Sequence, residues 1–130
     1  MRLELTTLLL SAVLLTGFQC CKEPLQRTSC LKGRLEVKGI CMNYTIKVMD
    51  GAINPDMIQD TWTDPNTNKT HQNVFGLASV CDFPSDLAEG EEFYFTINSN
   101  PNTSCFVCEA YYPTPQKKLH ISVSKAPCNQ

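Results

Sequence analysis

The chain has 130 residues and a formal net charge of −2, from 11 Lys and Arg against 13 Asp and Glu. The cations are scattered, which excludes the basic stripe of a nucleic-acid-binding domain, and no acidic run forms a solvating tail. Eight cysteines in so short a chain point to an oxidising compartment, and the length suits one domain.

The chain begins with a charged segment carrying Arg2 and Glu4, followed by the apolar run Leu8 to Leu15 and then Thr16 and Gly17. A charged start, a short apolar stretch and a small residue make a secretory signal peptide over residues 1–17, and the run is too short to span a bilayer. Gly17 is the preferred cleavage position and Gln19 the second. No later apolar run reaches the length of a membrane span, so the expected location is extracellular. All eight cysteines (Cys20, Cys21, Cys30, Cys41, Cys81, Cys105, Cys108 and Cys128) survive either cut and read as disulfide partners, their pairing left open. Three sequons, Asn43-Tyr44-Thr45, Asn68-Lys69-Thr70 and Asn102-Thr103-Ser104, mark candidate N-glycosylation sites.

Residues 18–29 carry Cys20, Cys21 and Pro24 without hydrophobic periodicity and read as a disulfide-tethered arm. Residues 30–130 read as one β-rich domain. Leu31, Gly33, Leu35 and Val37 alternate with Lys32, Arg34, Glu36 and Lys38, the period of a strand with one wet face. Lys38-Gly39 supplies a turn in which glycine accepts a positive φ. Met42, Tyr44, Ile46 and Val48 then alternate with Asn43, Thr45 and Lys47, placing the Asn43 sequon on a polar strand face. Between Asp50 and Thr61 one short helix is expected, capped by Asn54, with Pro55 at its first position and Asp56 at the positive end of its dipole. Thr63 to Thr70 has the turn chemistry of a surface loop.

Val74 to Val80 reads as a buried strand, Pro84 to Gly90 as a turn or a single helical turn, and Phe93, Phe95 and Ile97 mark a further strand. Asn98 to Ser104 is a polar loop. Cys105 to Tyr112 and Leu119 to Lys125 complete six or seven strands. The half-apolar faces must be covered, so the expected fold is all-β and mainly antiparallel: a small disulfide-stabilised β-sandwich or barrel with one short helix.

Several constellations were weighed for chemistry. Cys105-Phe106-Val107-Cys108 has the C-x-x-C spacing of thiol–disulfide exchange, but no helical pattern follows to lower a thiolate pKa, so structural disulfides are expected. Cys105, Cys108, His120 and Cys128 loosely imitate a zinc set, with the spacing of the distal pair too wide for a knuckle. Asp50, Gly51, Asn54, Asp56 and Asp60 are rich in oxygen but lack the spacing of a calcium loop. The histidines, His71 in or beside a polar loop and His120 on a wet strand face, fall in no catalytic motif and read as surface residues. No catalytic, metal-binding or cofactor-binding residues are therefore expected, and the protein is read as acting by binding and not as an enzyme. Tyr94 with Tyr111 or Tyr112, beside the Pro113-Thr114-Pro115 turn, forms a candidate binding patch, since tyrosine is favoured at interfaces.

The run Leu31-Lys32-Gly33-Arg34-Leu35-Glu36-Val37, followed by Asn43 through Asp50, resembles the opening of transthyretin-like secreted proteins, with Asn54-Pro55-Asp56 and Thr63-Asp64-Pro65-Asn66 similar to that family's loops. The resemblance spans Leu31 to Gly76. It implies a prealbumin-type β-sandwich that acts by binding, and it transfers no site residues. A cut after Gln19, which leaves Cys20 first, is similar to the start of the netrin-like domain of metalloproteinase inhibitors, although Cys20-Cys21 replaces that family's C-x-C. These readings converge on extracellular binding of a protein partner or a small apolar ligand. The alternative is a disulfide-rich effector, such as a protease inhibitor or toxin, acting through the N-terminal arm.

Overall fold

The computed structural model describes residues 29–128; the segment 1–17 read above as a signal peptide, most of the expected arm, and Cys20 and Cys21 lie outside the described residues. Seven strands form: β1 (Leu31–Lys38), β2 (Tyr44–Asp50), β3 (Gln59–Thr63), β4 (Thr70–Leu77), β5 (Glu92–Ile97), β6 (Lys118–Leu119) and β7 (Ile121–Ser124). They hydrogen-bond in the order β3-β4-β2-β1-β5-β7, and β6 pairs with β4. All pairs are antiparallel except β4 with β6, where Gly76 faces Lys118 and Leu77 faces Leu119. The fold is all-β, as expected, and the topology selects the barrel form.

Closure follows from the last segment. Lys118–Leu119 pairs with β4 and Ile121–Ser124 with β5, and only His120 separates them. Residues 118–124 thus join the two ends of the sheet β4-β2-β1-β5, leaving β3 as an extra edge strand on β4. Gly76 N–H to Lys117 O (2.8 Å), Ala78 N–H to Leu119 O (2.9 Å) and Asn98 N–H to His120 O (2.8 Å) extend the joint on both sides. At the break, Ser79 substitutes for a strand neighbour. Its buried hydroxyl donates to Ile121 O at 2.9 Å and accepts from Ile121 N at 2.8 Å.

Alternation fills the interior. Leu31, Leu35, Tyr44, Ile46, Phe75, Leu77, Phe93, Phe95, Leu119 and Ile121 point inward from the five barrel strands, with Phe83 and Leu87 plugging one end. Phe83 stands edge-on to Tyr44 and to Phe93, the geometry that aromatic quadrupoles favour. Gly33 lets the wall approach this core, since a Cβ there would lie 3.0 Å from the Phe95 ring.

Several local expectations are corrected. The helix between Asp50 and Thr61 shrinks to one 3-10 turn, Pro55–Met57; its cap is as expected, Asn54 Oδ1 accepting from Asp56 N at 3.0 Å. Beyond it β3 forms, because Thr61, Trp62 and Thr63 are strand formers with partners waiting in Gln72, His71 and Thr70. β4 begins at Thr70, four residues before Val74, and Asn73 takes a left-handed φ of 54° within it. Val80 leaves the strand for a short turn, and Met42 lies in the turn Ile40–Met42 before β2. In that turn Gly39 is extended, and Cys41 and Met42 carry the positive φ values, 54° and 56°. Cys105 to Tyr112 is no strand: it has no ladder partner and is tied by disulfides instead. The stretch Leu31 to Gly76 contributes the β1–β2 hairpin, β3 and nearly all of β4 to the sheet.

The Ser79 joint yields a test. Ser79→Ala strands a buried N–H and a buried C=O of Ile121, a cost of about 2–4 kcal/mol. The exposed Ser122→Ala on the neighbouring position changes stability by less than about 0.5 kcal/mol. Urea unfolding of the oxidised protein measures both.

Candidate functional site

Among the described residues three disulfides are present: Cys30–Cys128, Cys41–Cys108 and Cys81–Cys105. The six described cysteines pair with one another. The C-x-x-C pair is split between two bridges, and the loose zinc set is dispersed because Cys105, Cys108 and Cys128 each hold a different partner. Among the described residues no three His, Cys, Asp or Glu side chains converge to hold a metal ion. Of the oxygen-rich group, Asp50 Oδ1 accepts from Gly51 N at 2.8 Å and Asn54 caps its turn.

The bridges draw two loops together. One is residues 39–43, between β1 and β2; the other is residues 98–117, between β5 and β6. Cys41–Cys108 joins them, and Cys81–Cys105 ties the second loop to the turn after β4. Asn43 Nδ2 adds two hydrogen bonds, to Ile40 O and across the gap to Ala110 O, each 2.9 Å. A Cβ at Gly39 would stand 2.4 Å from Asn43 O within the β1–β2 turn and 2.6 Å from the Tyr112 ring, so both the turn and the contact with Tyr112 require glycine here. Asn43 is therefore a corner residue that clamps two loops, not a residue of the polar strand face expected above.

The clamped loops expose apolar side chains. Ile40 is 59% exposed, Phe106 fully exposed at 108%, Val107 46% and Tyr111 84%. Two clefts flank the Cys41–Cys108 bridge. One, about 410 Å³, is walled by Met42, Phe106, Val107 and the bridge itself; the other, about 450 Å³, runs past Asn43, Leu77, Val80 and Tyr111 to Lys118. Both volumes fall in the range of ligand pockets. Exposed apolar groups around a concavity are the signature of an interaction site, in contrast to a lone exposed side chain.

Of the tyrosines singled out above, Tyr111 belongs to this rim, and Tyr112 is half-buried against Gly39. Tyr94 lies off the rim: it is half-buried on β5 between Lys32 and Ser124. Lys32 and Gly39 are seven residues apart along β1, which separates Tyr94 from the rim by roughly 20 Å at the usual strand rise. The exposure of Phe106 and Val107 has no sequence signal, because a strand reading of Cys105 to Tyr112 assigns alternate apolar residues to the core, and Ile40 falls between two strand patterns. Among the other sequons, Asn68 sits at an exposed loop with φ 56°, and exposed Asn102 accepts from Ser104 N through Oδ1 at 2.9 Å.

His71 is also corrected. It is not a surface residue: it is 3% exposed on β4, and its Nδ1 lies 3.0 Å from Glu36 Oε1. Arg34 donates to Glu36 Oε2 from Nε at 2.9 Å, with its terminal nitrogen at 2.8 Å, and Trp62 lies over the His71 ring with centroids 5.7 Å apart. No periodicity could reveal this, since the partners are 35 residues apart in the chain. His120, by contrast, is exposed at the β6–β7 break. Burial of the Glu36 carboxyl acts to raise its pKa, but the hydrogen bonds from His71 and Arg34, with the charge of Arg34, outweigh it and hold the group below the usual carboxylate range.

A depressed pKa means that Glu36 contributes stability above its unfolded value, about 4.3, and that this contribution disappears as the pH falls through the folded value. Urea midpoints measured from neutral pH down to about pH 3 therefore fall more steeply in the wild type than in Glu36→Gln. At neutral pH the substitution itself costs about 1–3 kcal/mol, because it weakens charge-assisted bonds in a mostly buried cluster. Alkylation of the unreduced, unfolded chain labels none of the six described cysteines, checked by peptide mass mapping. No family model, curated protein or solved structure matches the chain.

Proposed function

We propose that the protein is secreted and acts outside the cell by binding a protein partner through the clamped rim of Ile40, Phe106, Val107 and Tyr111. The single observation that carries this reading is the exposure of Phe106, Val107 and Tyr111 along clefts lined by the Cys41–Cys108 bridge, with exposed Ile40 beside Cys41 in the chain. Such groups gain no hydrophobic stabilisation from folding while they remain in water, and a partner's surface supplies it on binding. A small ligand is held by residues that turn inward, whereas the full exposure of Phe106 suits an opposing protein surface.

The architecture supports the same reading. Counting the barrel strands in chain order, with β6 and β7 as one, they run 1-2-3-5-4 and return to the first. In five-stranded barrels of the OB type, the loops between strands 1 and 2 and between strands 4 and 5 carry the binding residues. Those are the two loops that Cys41–Cys108 joins here. Preorganisation by a disulfide spares a binding loop part of its ordering cost. Secretion is supported by the signal-like segment 1–17 and the disulfides, which persist in oxidising compartments. The described residues present no catalytic constellation on which to build a reaction, and the reading needs no cofactor.

The test is paired. A Phe106→Ser and Tyr111→Ser double variant is expected to keep the wild-type unfolding midpoint, because neither side chain is buried. It is expected to lose at least about tenfold in affinity for a partner captured from extracellular fluid, measured by surface binding kinetics. Unchanged affinity in a folded double variant would place the binding surface elsewhere, with the N-terminal arm the next segment to delete.

A further inference from the structure

We infer that the Cys41–Cys108 bridge is a thiol-exchange site: a small aliphatic thiol, entering the cleft of Met42, Phe106 and Val107, attacks Cys108 Sγ and opens the clasp between the two rim loops. The exchange stands on the geometry of the bridge. Only its consequence for binding rests on the reading above.

Access sets this bridge apart. Cys108 is exposed and Cys41 half-buried, and together they line both clefts. Cys30 and Cys128 are half-buried and line neither of them, and the Cys81–Cys105 bridge, although exposed at Cys105, also borders neither. The cleft beside Phe106 has a volume of about 410 Å³ and an uncharged wall, and it admits a molecule the size of one amino acid. The backbone points the same way. Cys41 and Met42 hold consecutive positive φ values, 54° and 56°, and none of the other five described cysteines has one. Such conformations persist only where the surroundings enforce them, and the bridge to Cys108 is part of that enforcement. Exposed or strained disulfides are the ones that exchange with thiols, whereas enclosed ones resist. Across the bridge, Cys105 to Tyr112 joins no ladder, so Cys108 can swing outward with an adduct and break no strand pairing.

The step is a displacement. The incoming thiolate bonds to Cys108 Sγ as the Sγ–Sγ bond breaks, and Cys41 leaves as a thiolate that takes a proton from water. One disulfide and one thiol become one mixed disulfide and one thiol, so no oxidant or reductant is consumed. Attack falls on Cys108 because its side is the exposed one, and departure of Cys41 lets the left-handed turn relax. The freed Cys41 can attack the adduct in turn and restore the bridge, which makes the exchange reversible. While the bridge is open, the Asn43 Nδ2 bond to Ala110 O and the contact of Tyr112 with Gly39 still link the loops. Ile40 then loses its fixed position relative to Phe106 and Val107, and the preorganisation of the rim is lost with it.

The test incubates the folded, oxidised full chain with free cysteine under mildly alkaline conditions, traps thiols with iodoacetamide and maps the peptides. Cys108 is expected to carry the added cysteine and Cys41 the alkyl group, with the other two described bridges intact and modified at least about tenfold more slowly. Hydrogen exchange of the adduct is expected to be faster than in the untreated protein over residues 39–43 and 105–111. An adduct at Cys41 with Cys108 alkylated, equal modification of the three bridges, or no modification before the chain unfolds each overturns the exchange site. Unchanged hydrogen exchange in the adduct overturns the clasp, because the loops then keep their order without the bridge. Neither measurement uses a binding partner, so failure of the rim as a binding surface is read separately, from the Phe106→Ser and Tyr111→Ser variant.

Discussion

Residues Lys118–Ser124 pair with β4 through their first two positions and with β5 through their last four, and the closed barrel depends on this double attachment. A strand that changes neighbours partway cannot keep a continuous ladder, and the gap falls at His120. Ser79 repairs it by hydrogen-bonding both backbone groups of Ile121. Close by in the chain, Cys128 is bonded to Cys30 at the head of β1, so the last described residue is anchored to the first barrel strand across a separation of 98 residues. In the chain-entropy account a loop of that length gains roughly 4–5 kcal/mol from its bridge. That is a substantial fraction of the stability of a small domain.

The same closure accounts for the rim. β5 and β7 are antiparallel neighbours, with Asn98 N–H bonded to His120 O, so residues 98–117 leave and return at the same end of the barrel as one long excursion. Such a segment has no strand edge to join, so its order comes from two disulfides, the Asn43 clamp and the contact of Tyr112 with Gly39. Held at a few points, it presents Phe106, Val107 and Tyr111 to solvent instead of folding them into the core. The consecutive left-handed residues Cys41 and Met42 belong to the facing loop, a conformation costly for non-glycine residues that the bridge to Cys108 helps to maintain.

The outer wall of the barrel shows two ways in which a buried polar group is treated. Glu36 is surrounded by Arg34 and His71, and its charge is compensated. Thr45 is enclosed without compensation. Isolated pairs of this kind carry little stability on the surface, but removal of one partner from an enclosed cluster is costly because the others remain desolvated. The Arg34–Glu36–His71 group thus fixes the register between β1 and β4 across the intervening β2, complementing the apolar interior.

Much of the barrel was legible from alternation. The cores of β1, β2, β5 and β7 follow the period of two, because one face of each packs inward and the other meets water or a covering segment. Local chemistry was equally readable at Asn54, where a side-chain cap requires only its own backbone. The failures were of another kind. Cys105 to Tyr112 has strand-forming residues but no partner, and β3 has fewer apolar residues yet acquires one in β4; strand propensity reflects the pairing available, which is a non-local property. His71 looked like a surface residue because its carboxylate partner is remote in the chain. The sequence by itself therefore determined the strand-forming segments, the turn chemistry and the supply of cysteines. Tertiary structure alone decided closure into a barrel, the pairing of the six described cysteines and the exposure of the apolar rim, because each depends on which distant residues meet when the ends of the sheet are joined.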